Sequence, residues 1–214
     1  MKWYRDLFEG KPGEYSLNHL DKRGETGREV SFLRDTLKEG YVLDHCCGSC
    51  RLAIPLSSER PVVGLDLSRY LLSVAKSRCR KLNVENLDLI RADMRYLPLQ
   101  SNIFDNVINF WTSFGYFPDE ENEHVLNEIA RVVKSDGIFV MDLVNPEWII
   151  RNFREKDWHD EETYFHLEHH SLDWETNALS HVGSSSINMI GRSMKQTSTL
   201  GLIVYKNSRA SIKS

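Results

Sequence analysis

From residue 40 to about residue 145, short apolar runs alternate with stretches of helical period, the signature of a parallel sheet with helices packed on it. The runs cover residues 41–44, 61–66, 87–90, 104–110 and 137–143. Each is short, rich in Val, Ile, Leu or Phe, and bounded by Gly, Pro, Asp or Asn, so each predicts a buried strand. Between them, residues 68–82 set Leu71, Leu72, Ala75, Cys79 and Leu82 at spacings of three and four behind Ser68, a residue suited to cap a helix. Residues 120–133 repeat the pattern with Val125, Leu126, Ile129 and Val133, with acids in the first turn where the helix dipole favours them. Ser135, Asp136 and Gly137 predict the turn into the fifth strand. Residues 51–57, 2–8 and 26–37 read as further helices, the last two separated by a loop that carries Tyr15 and His19.

Beyond residue 145 the period changes. Residues 164–172, 178–190 and 196–205 read as β segments of an antiparallel meander without intervening helices. Composition shifts inside this appendage: residues 155–175 hold eight acids and one Lys, whereas 176–214 hold five bases, nine serines and no acid. The expected organisation is an amino-terminal cap (1–39), an α/β core (40–145) and an antiparallel β appendage with a tail (146–214).

The 214 residues carry 27 Lys plus Arg against 31 Asp plus Glu, a net charge of −4, which gives no basic footprint for a nucleic-acid backbone. No stretch approaches the roughly 18 apolar residues of a membrane helix, and the charged amino end lacks a signal-peptide core, so a cytoplasmic protein is expected. Three of the four cysteines (Cys46, Cys47, Cys50) fall within five residues, which suits reduced thiols better than a disulfide scaffold.

The sharpest local feature is Val42-Leu43-Asp44-His45-Cys46-Cys47-Gly48-Ser49-Cys50, a strand running into a loop of small residues and then a helix start. Small side chains let a ligand approach the backbone, and free N–H groups there suit an anionic group. A second acid, Asp66, ends the second strand 22 residues after Asp44, near the spacing at which such an acid meets a ribose diol. Arg91-Ala92-Asp93-Met94 follows the third strand, where an acid and an apolar neighbour suit an adenine amino group and ring face.

These segments resemble the class I S-adenosylmethionine-dependent methyltransferases, whose first motif reads acid-x-Gly-Cys-Gly-x-Gly at the same point of the fold; the resemblance spans about residues 26–145. It implies a Rossmann-like α/β/α sandwich with S-adenosylmethionine as cofactor. Asp44, Cys46, Gly48 and Cys50 would lie against the methionyl part, Asp66 at the ribose, Asp93 at the adenine, and Leu67, Met94 and Asn109 would complete the cofactor set. Residues 104–117 resemble the family's fourth-strand region, and 126–143 its next helix and strand. Tyr15, Trp111, Phe114 and Tyr116 are the candidate acceptor-binding residues, for a small-molecule methyl acceptor. No catalytic residue is identified; His19, His166 and the Tyr116 region are candidate bases by position alone. Tyr4 and Arg28 could help close the pocket.

The chain departs from the family in having Cys at 46 and 50 where Gly is usual, which predicts backbone strain. Nothing after residue 206 can supply the family's last helix and hairpin, so a shortened sheet and a possible homodimer are expected. Two other functions fit less of the pattern: a non-catalytic nucleoside-binding or assembly protein, and an NAD-dependent oxidoreductase, which would want Gly-x-Gly-x-x-Gly after the first strand. A metal site at Cys47-x-x-Cys50 with His45 and Cys46, or at His166, His169 and His170, is weighed against loop filling and solvated strand faces, and no metal is expected.

Overall fold

The computed structural model describes residues 8–9, 24–111, 113–143, 145–160, 164–173, 178–190, 193–199 and 203–206. Tyr4, Tyr15, His19 and most of the helix expected over 2–8 lie outside the described residues.

Helix α1 (Thr26–Thr36) precedes strand β1 (Val42–His45), the short helix α2 (Ala53–Leu56), β2 (Val62–Asp66), helix α3 (Arg69–Leu82), β3 (Leu87–Arg91), β4 (Phe104–Asn109), helix α4 (Asp119–Val132) and β5 (Val133–Met141). The five strands form one parallel sheet in the order β3-β2-β1-β4-β5, so the strand order reverses between β1 and β4. In such sheets ligands bind outside the carboxyl ends of the strands at that reversal. This is the expected Rossmann-like α/β class, and among the described residues the sheet ends at β5.

The strands are apolar because both faces are covered. On one face Val42, Val62 and Ile108 join Val30 and Leu33 of α1, Ala53 and Leu56 of α2 and Ala75 of α3 in a single buried cluster. Helix α3 begins as its sequence predicts, with the Ser68 hydroxyl accepting the Leu71 N–H at 3.0 Å. It ends on Asn83, whose φ of +51° closes the last turn.

The connection from β3 to β4 is a loop clasped by α4. Arg131 donates to the carbonyls of Leu99 (2.7 Å) and Leu97 (3.0 Å), while Glu128 accepts the Leu97 N–H at 2.8 Å. The Arg131 guanidinium in turn holds the Glu128 carboxyl down at about 2. The turn expected at 135–137 lies inside β5 as an irregularity: Phe104 faces Val133, but Asn106 already faces Ile138.

The chain divides into two compact units, one of residues 8–114 with 120–143 and a second that holds 115–119 and the segments after 144. The second unit contains helix α5 (Pro146–Asn152) and strands β6 (Lys156–Asp160), β7 (Tyr164–Asp173), β8 (Ala178–Ile190), β9 (Ser193–Thr199) and β10 (Ile203–Lys206). These form an antiparallel sheet in the order β10-β8-β7-β6, with β9 also on β8. The appendage is therefore antiparallel as expected, but the single segment expected at 196–205 is two strands, and it opens with a helix and a strand that the period did not reveal. Asn145 caps that helix by accepting the Glu147 N–H at 2.9 Å.

Candidate functional site

The carboxyl ends of β1, β2 and β4 converge at the strand-order reversal, and alternation along each strand decides what points where. Asp44 lies opposite Gly64 and Ile108, on the side of the sheet covered by α1, α2 and α3; Asp66, two residues beyond Gly64, falls on the same side. His45 and Asn109 fall on the other side.

The loop after β1 turns back under β2. The N–H groups of Cys46 and Cys47 both reach the Leu65 carbonyl, at 2.8 and 2.9 Å. Cys46 (φ +71°), Gly48 (φ +54°) and Cys50 (φ +63°) all adopt left-handed backbone. The loop thus keeps a glycine-type path even where cysteine replaces glycine, at a cost on the order of 1–2 kcal/mol for each cysteine. Asn83 and Asn102 also have positive φ, but asparagine tolerates that region. The thiols explain Gly64: a Cβ there would meet Cys47 Sγ at 3.0 Å and Cys50 Sγ at 3.2 Å. A hydrogen bond with Cys50 and burial raise the Cys47 thiol well above its usual pKa, and burial does the same for Cys46. These are packed, protonated thiols. Among the described residues no group of three or more His, Cys, Asp or Glu could hold a metal ion.

Asp66 joins the two loops. Its Oδ2 accepts the Gly48 N–H and its Oδ1 the Ser68 N–H, each at 2.8 Å, which leaves further acceptor positions on both oxygens. It is partly exposed, and burial on its inner side raises its pKa against these N–H groups. Beside it Glu9 accepts the N–H groups of Arg69 (2.7 Å) and Tyr70 (3.1 Å), while the Ser68 hydroxyl donates to the Phe8 carbonyl at 2.8 Å. Glu9 therefore adds negative charge next to Asp66, a role that position alone did not reveal.

Asp44 is 3% exposed, and burial raises its carboxyl to about 7 against the lowering influence of Arg51 and of the Ala53 N–H. Arg51 is itself held by α1, donating to Glu29 and to the Thr26 hydroxyl at 3.2 Å. Asp93 is differently placed: Arg95 donates to it from its backbone N–H (3.1 Å), Nε (3.0 Å) and a terminal nitrogen (2.6 Å), and also pairs with Glu121 of α4. Met94 beside it is buried, and Leu67 beyond β2 is partly exposed.

Across the sheet the Asn109 amide donates to His45 Nδ1 (2.9 Å) and to the His45 carbonyl (3.1 Å). Both side chains are fully buried, and among the described residues His45 Nε2 and Asn109 Oδ1 have no partner at ideal hydrogen-bond geometry. Burial lowers the His45 pKa to about 4, so the ring is neutral. Trp111 has a φ of +61°, held by its N–H donating to Asp142 Oδ2 at 3.2 Å. Trp111 and Phe114 are partly exposed and belong to the same compact unit as the loop; Tyr116 belongs to the second unit, Tyr15 lies outside the described residues, and nothing is described of the His166 side chain.

Residues 42–137 match a family described as a methyltransferase domain. These residues are thus similar to the class I S-adenosylmethionine-dependent methyltransferases. Its curated relatives include a demethylmenaquinone methyltransferase of Bacillus cereus (strain B4264), 33% identical over 140 residues that make up 62% of this chain and 58% of the relative. The chain thus spans 58% of the length of that relative. The chain also resembles in fold a solved S-adenosylmethionine-dependent methyltransferase of Clostridium acetobutylicum ATCC 824, with a TM-score of 0.69, 17% identity and coverage of 85% of this chain and 72% of that one. Streptomyces venezuelae DesVI superposes with a TM-score of 0.67 at 20% identity, over 91% of this chain and 83% of that one. These two likenesses concern the fold. The oxidoreductase and non-catalytic alternatives gain no support from these matches. No described helix is long and apolar enough to cross a membrane.

The residues present fit the cofactor that the methyltransferase family uses. Among the described residues a Cβ at Gly48 would meet only Leu71 Cδ1, at 3.9 Å, so these residues leave space beside the loop. A carboxylate with spare acceptor positions stands at the β2 end for a diol, and a second carboxylate, Asp44, stands where positive charge would relieve its burial.

Proposed function

We propose that this domain transfers a methyl group from S-adenosylmethionine to a small-molecule acceptor. The observation that carries this reading is the Asp66 carboxylate, which ties the Gly48 and Ser68 N–H groups together at the mouth of a loop with left-handed backbone at residues 46, 48 and 50. When bound, the cofactor supplies an electrophilic methyl group on a sulfonium.

Each residue then has a positioning task. Asp66 accepts the ribose hydroxyls, and Asp44 faces the methionyl part across Cys46, Gly48 and Cys50. Asp93 and Met94 flank the adenine, with Asp93 held in a fixed orientation by Arg95, and Leu67 completes the wall, while Asn109, buried on the opposite side of the sheet, braces His45 behind it. Trp111 and Phe114 border the acceptor. Because methyl transfer is an in-line displacement, holding the two reacting atoms in line can supply about 7–11 kcal/mol without a dedicated acid or base.

Calorimetric titration tests this. S-adenosylmethionine and S-adenosylhomocysteine should bind and NAD should not, and Asp66→Ala should weaken both ligands at least about tenfold, the worth of a hydrogen bond to a charged group. Unchanged affinity in that variant would remove Asp66 from the site, and failure of the unaltered protein to bind either ligand would end the reading.

A further inference from the structure

Asp142 follows β5 and has no part in the loop described above, yet the sheet register aligns it with Asp66. Asp44 lies opposite Gly64 on β2 and Ile108 on β4, and Ile108 lies opposite Val140 on β5. Two residues beyond Gly64 is Asp66; two residues beyond Val140 is Asp142. The two acids therefore stand at one level, on one side of the sheet, three strand spacings apart, or about 14 Å. A ligand anchored at Asp66 and crossing β1 has its far end, and whatever meets it, in front of β4 and β5.

The structure fixes Asp142 in that place. Its N–H continues the ladder to the Asn109 carbonyl at 2.9 Å, and Asn109 is itself locked by His45. Its Oδ2 accepts the Trp111 N–H at 3.2 Å, which holds Trp111 in the left-handed region that bulky residues avoid. Among the described residues Oδ1 accepts no hydrogen bond, and Asp142 and Trp111 are both partly exposed. A half-free carboxylate next to an aromatic side chain, level with Asp66 and on the same side of the sheet, suits a nitrogen that becomes positive.

We propose that Asp142 is the acceptor-binding carboxylate of this domain and that the acceptor is an amine. This rests on the function proposed above. The nitrogen lone pair forms the N–C bond as the S–C bond breaks with its electron pair left on sulfur, and the proton the nitrogen then loses passes to Asp142 Oδ1. The positive charge created on nitrogen is stabilised by the carboxylate in the transition state more than in the ground state.

The test needs no knowledge of the acceptor. Sinefungin carries an amine-bearing carbon in place of the methylated sulfur, so it presents a nitrogen where methyl transfer occurs. Its affinity and that of S-adenosylhomocysteine are measured by calorimetry for the unaltered protein and for Asp142→Asn, which retains an oxygen for the Trp111 N–H. The unaltered protein should prefer sinefungin by about tenfold, and Asp142→Asn should lose that preference while binding S-adenosylhomocysteine within about twofold of the original. No preference in the unaltered protein, a preference that survives Asp142→Asn, or a parallel loss of both ligands would overturn the role of Asp142. An unaltered protein that binds neither ligand would instead refute the proposed function, and this inference with it.

Discussion

Replacing Asp44 by Asn tests the electrostatics of the site in the protein without ligand. Burial raises the Asp44 carboxyl from the ordinary 3.8 to about 7, a displacement equivalent to about 4 kcal/mol. The folded protein keeps a proton that the unfolded chain releases, so this group withdraws stability as pH rises from about 4 to about 7. His45 acts in the opposite sense. Its pKa falls from 6.5 to about 4, so the unfolded chain takes up a proton that the folded one refuses, and about 3 kcal/mol is lost as pH falls across that window. Over the shared range the slopes, each about 1.4 kcal/mol per pH unit, cancel, and these two groups together leave stability nearly level. Asp44→Asn retains an oxygen for the Ala53 N–H but cannot ionise, so only the His45 slope remains. Urea unfolding between pH 4 and 8 should show the variant gaining on the unaltered protein by about 4 kcal/mol across the interval. Parallel pH profiles for the two proteins would refute the assignment of a buried, proton-holding carboxyl to Asp44.

Cys46→Gly should stabilise the fold by about 1 kcal/mol in thermal or urea unfolding, because glycine adopts the left-handed backbone without strain. Cys50→Gly should give no comparable gain, since Cys50 is fully buried and the relief is offset by lost packing around its sulfur. Gly64→Ala drives a methyl group against Cys47 Sγ and Cys50 Sγ at 3.0 and 3.2 Å and should destabilise by about 1–3 kcal/mol. Adding Cys47→Ala should restore part of that loss; no restoration would show that the thiols are not what Gly64 accommodates.

The parallel core was legible because strands buried on both faces read as unbroken apolar runs, and because Ser68, Asp44 and Asp66 occupy strand and helix ends where their chemistry is informative. The left-handed path through Cys46 and Cys50 was legible only by resemblance, since cysteine itself gives no signal for positive φ. Asp142 was missed because an acid after an apolar run reads as a strand terminator; only the register across β1, β4 and β5 lifts it out. Gly64 carries no signal in the sequence of the sulfurs that pack against it. Glu9 meets the start of α3 across 60 residues of sequence, a contact no local period encodes. In the second unit, Asn145 and Pro146 do mark a helix start, but only seven residues follow before its end, too few for a period to emerge.

The central position of β1 also dictates an order of assembly. Val42 finds its β2 partner, Val62, 20 residues downstream, whereas Asp44 waits for Ile108, 64 residues downstream, because the strand on its other side belongs to the second half of the sheet. Chain closure over the shorter interval is faster and forfeits less entropy, so β1, β2 and β3 can pair while β4 is still being synthesised. Until β4 arrives, the nascent sheet presents the open edge of β1 to its surroundings, and the strand-order reversal between β1 and β4, where the ligand is proposed to bind, is among the last features of the domain to come into being.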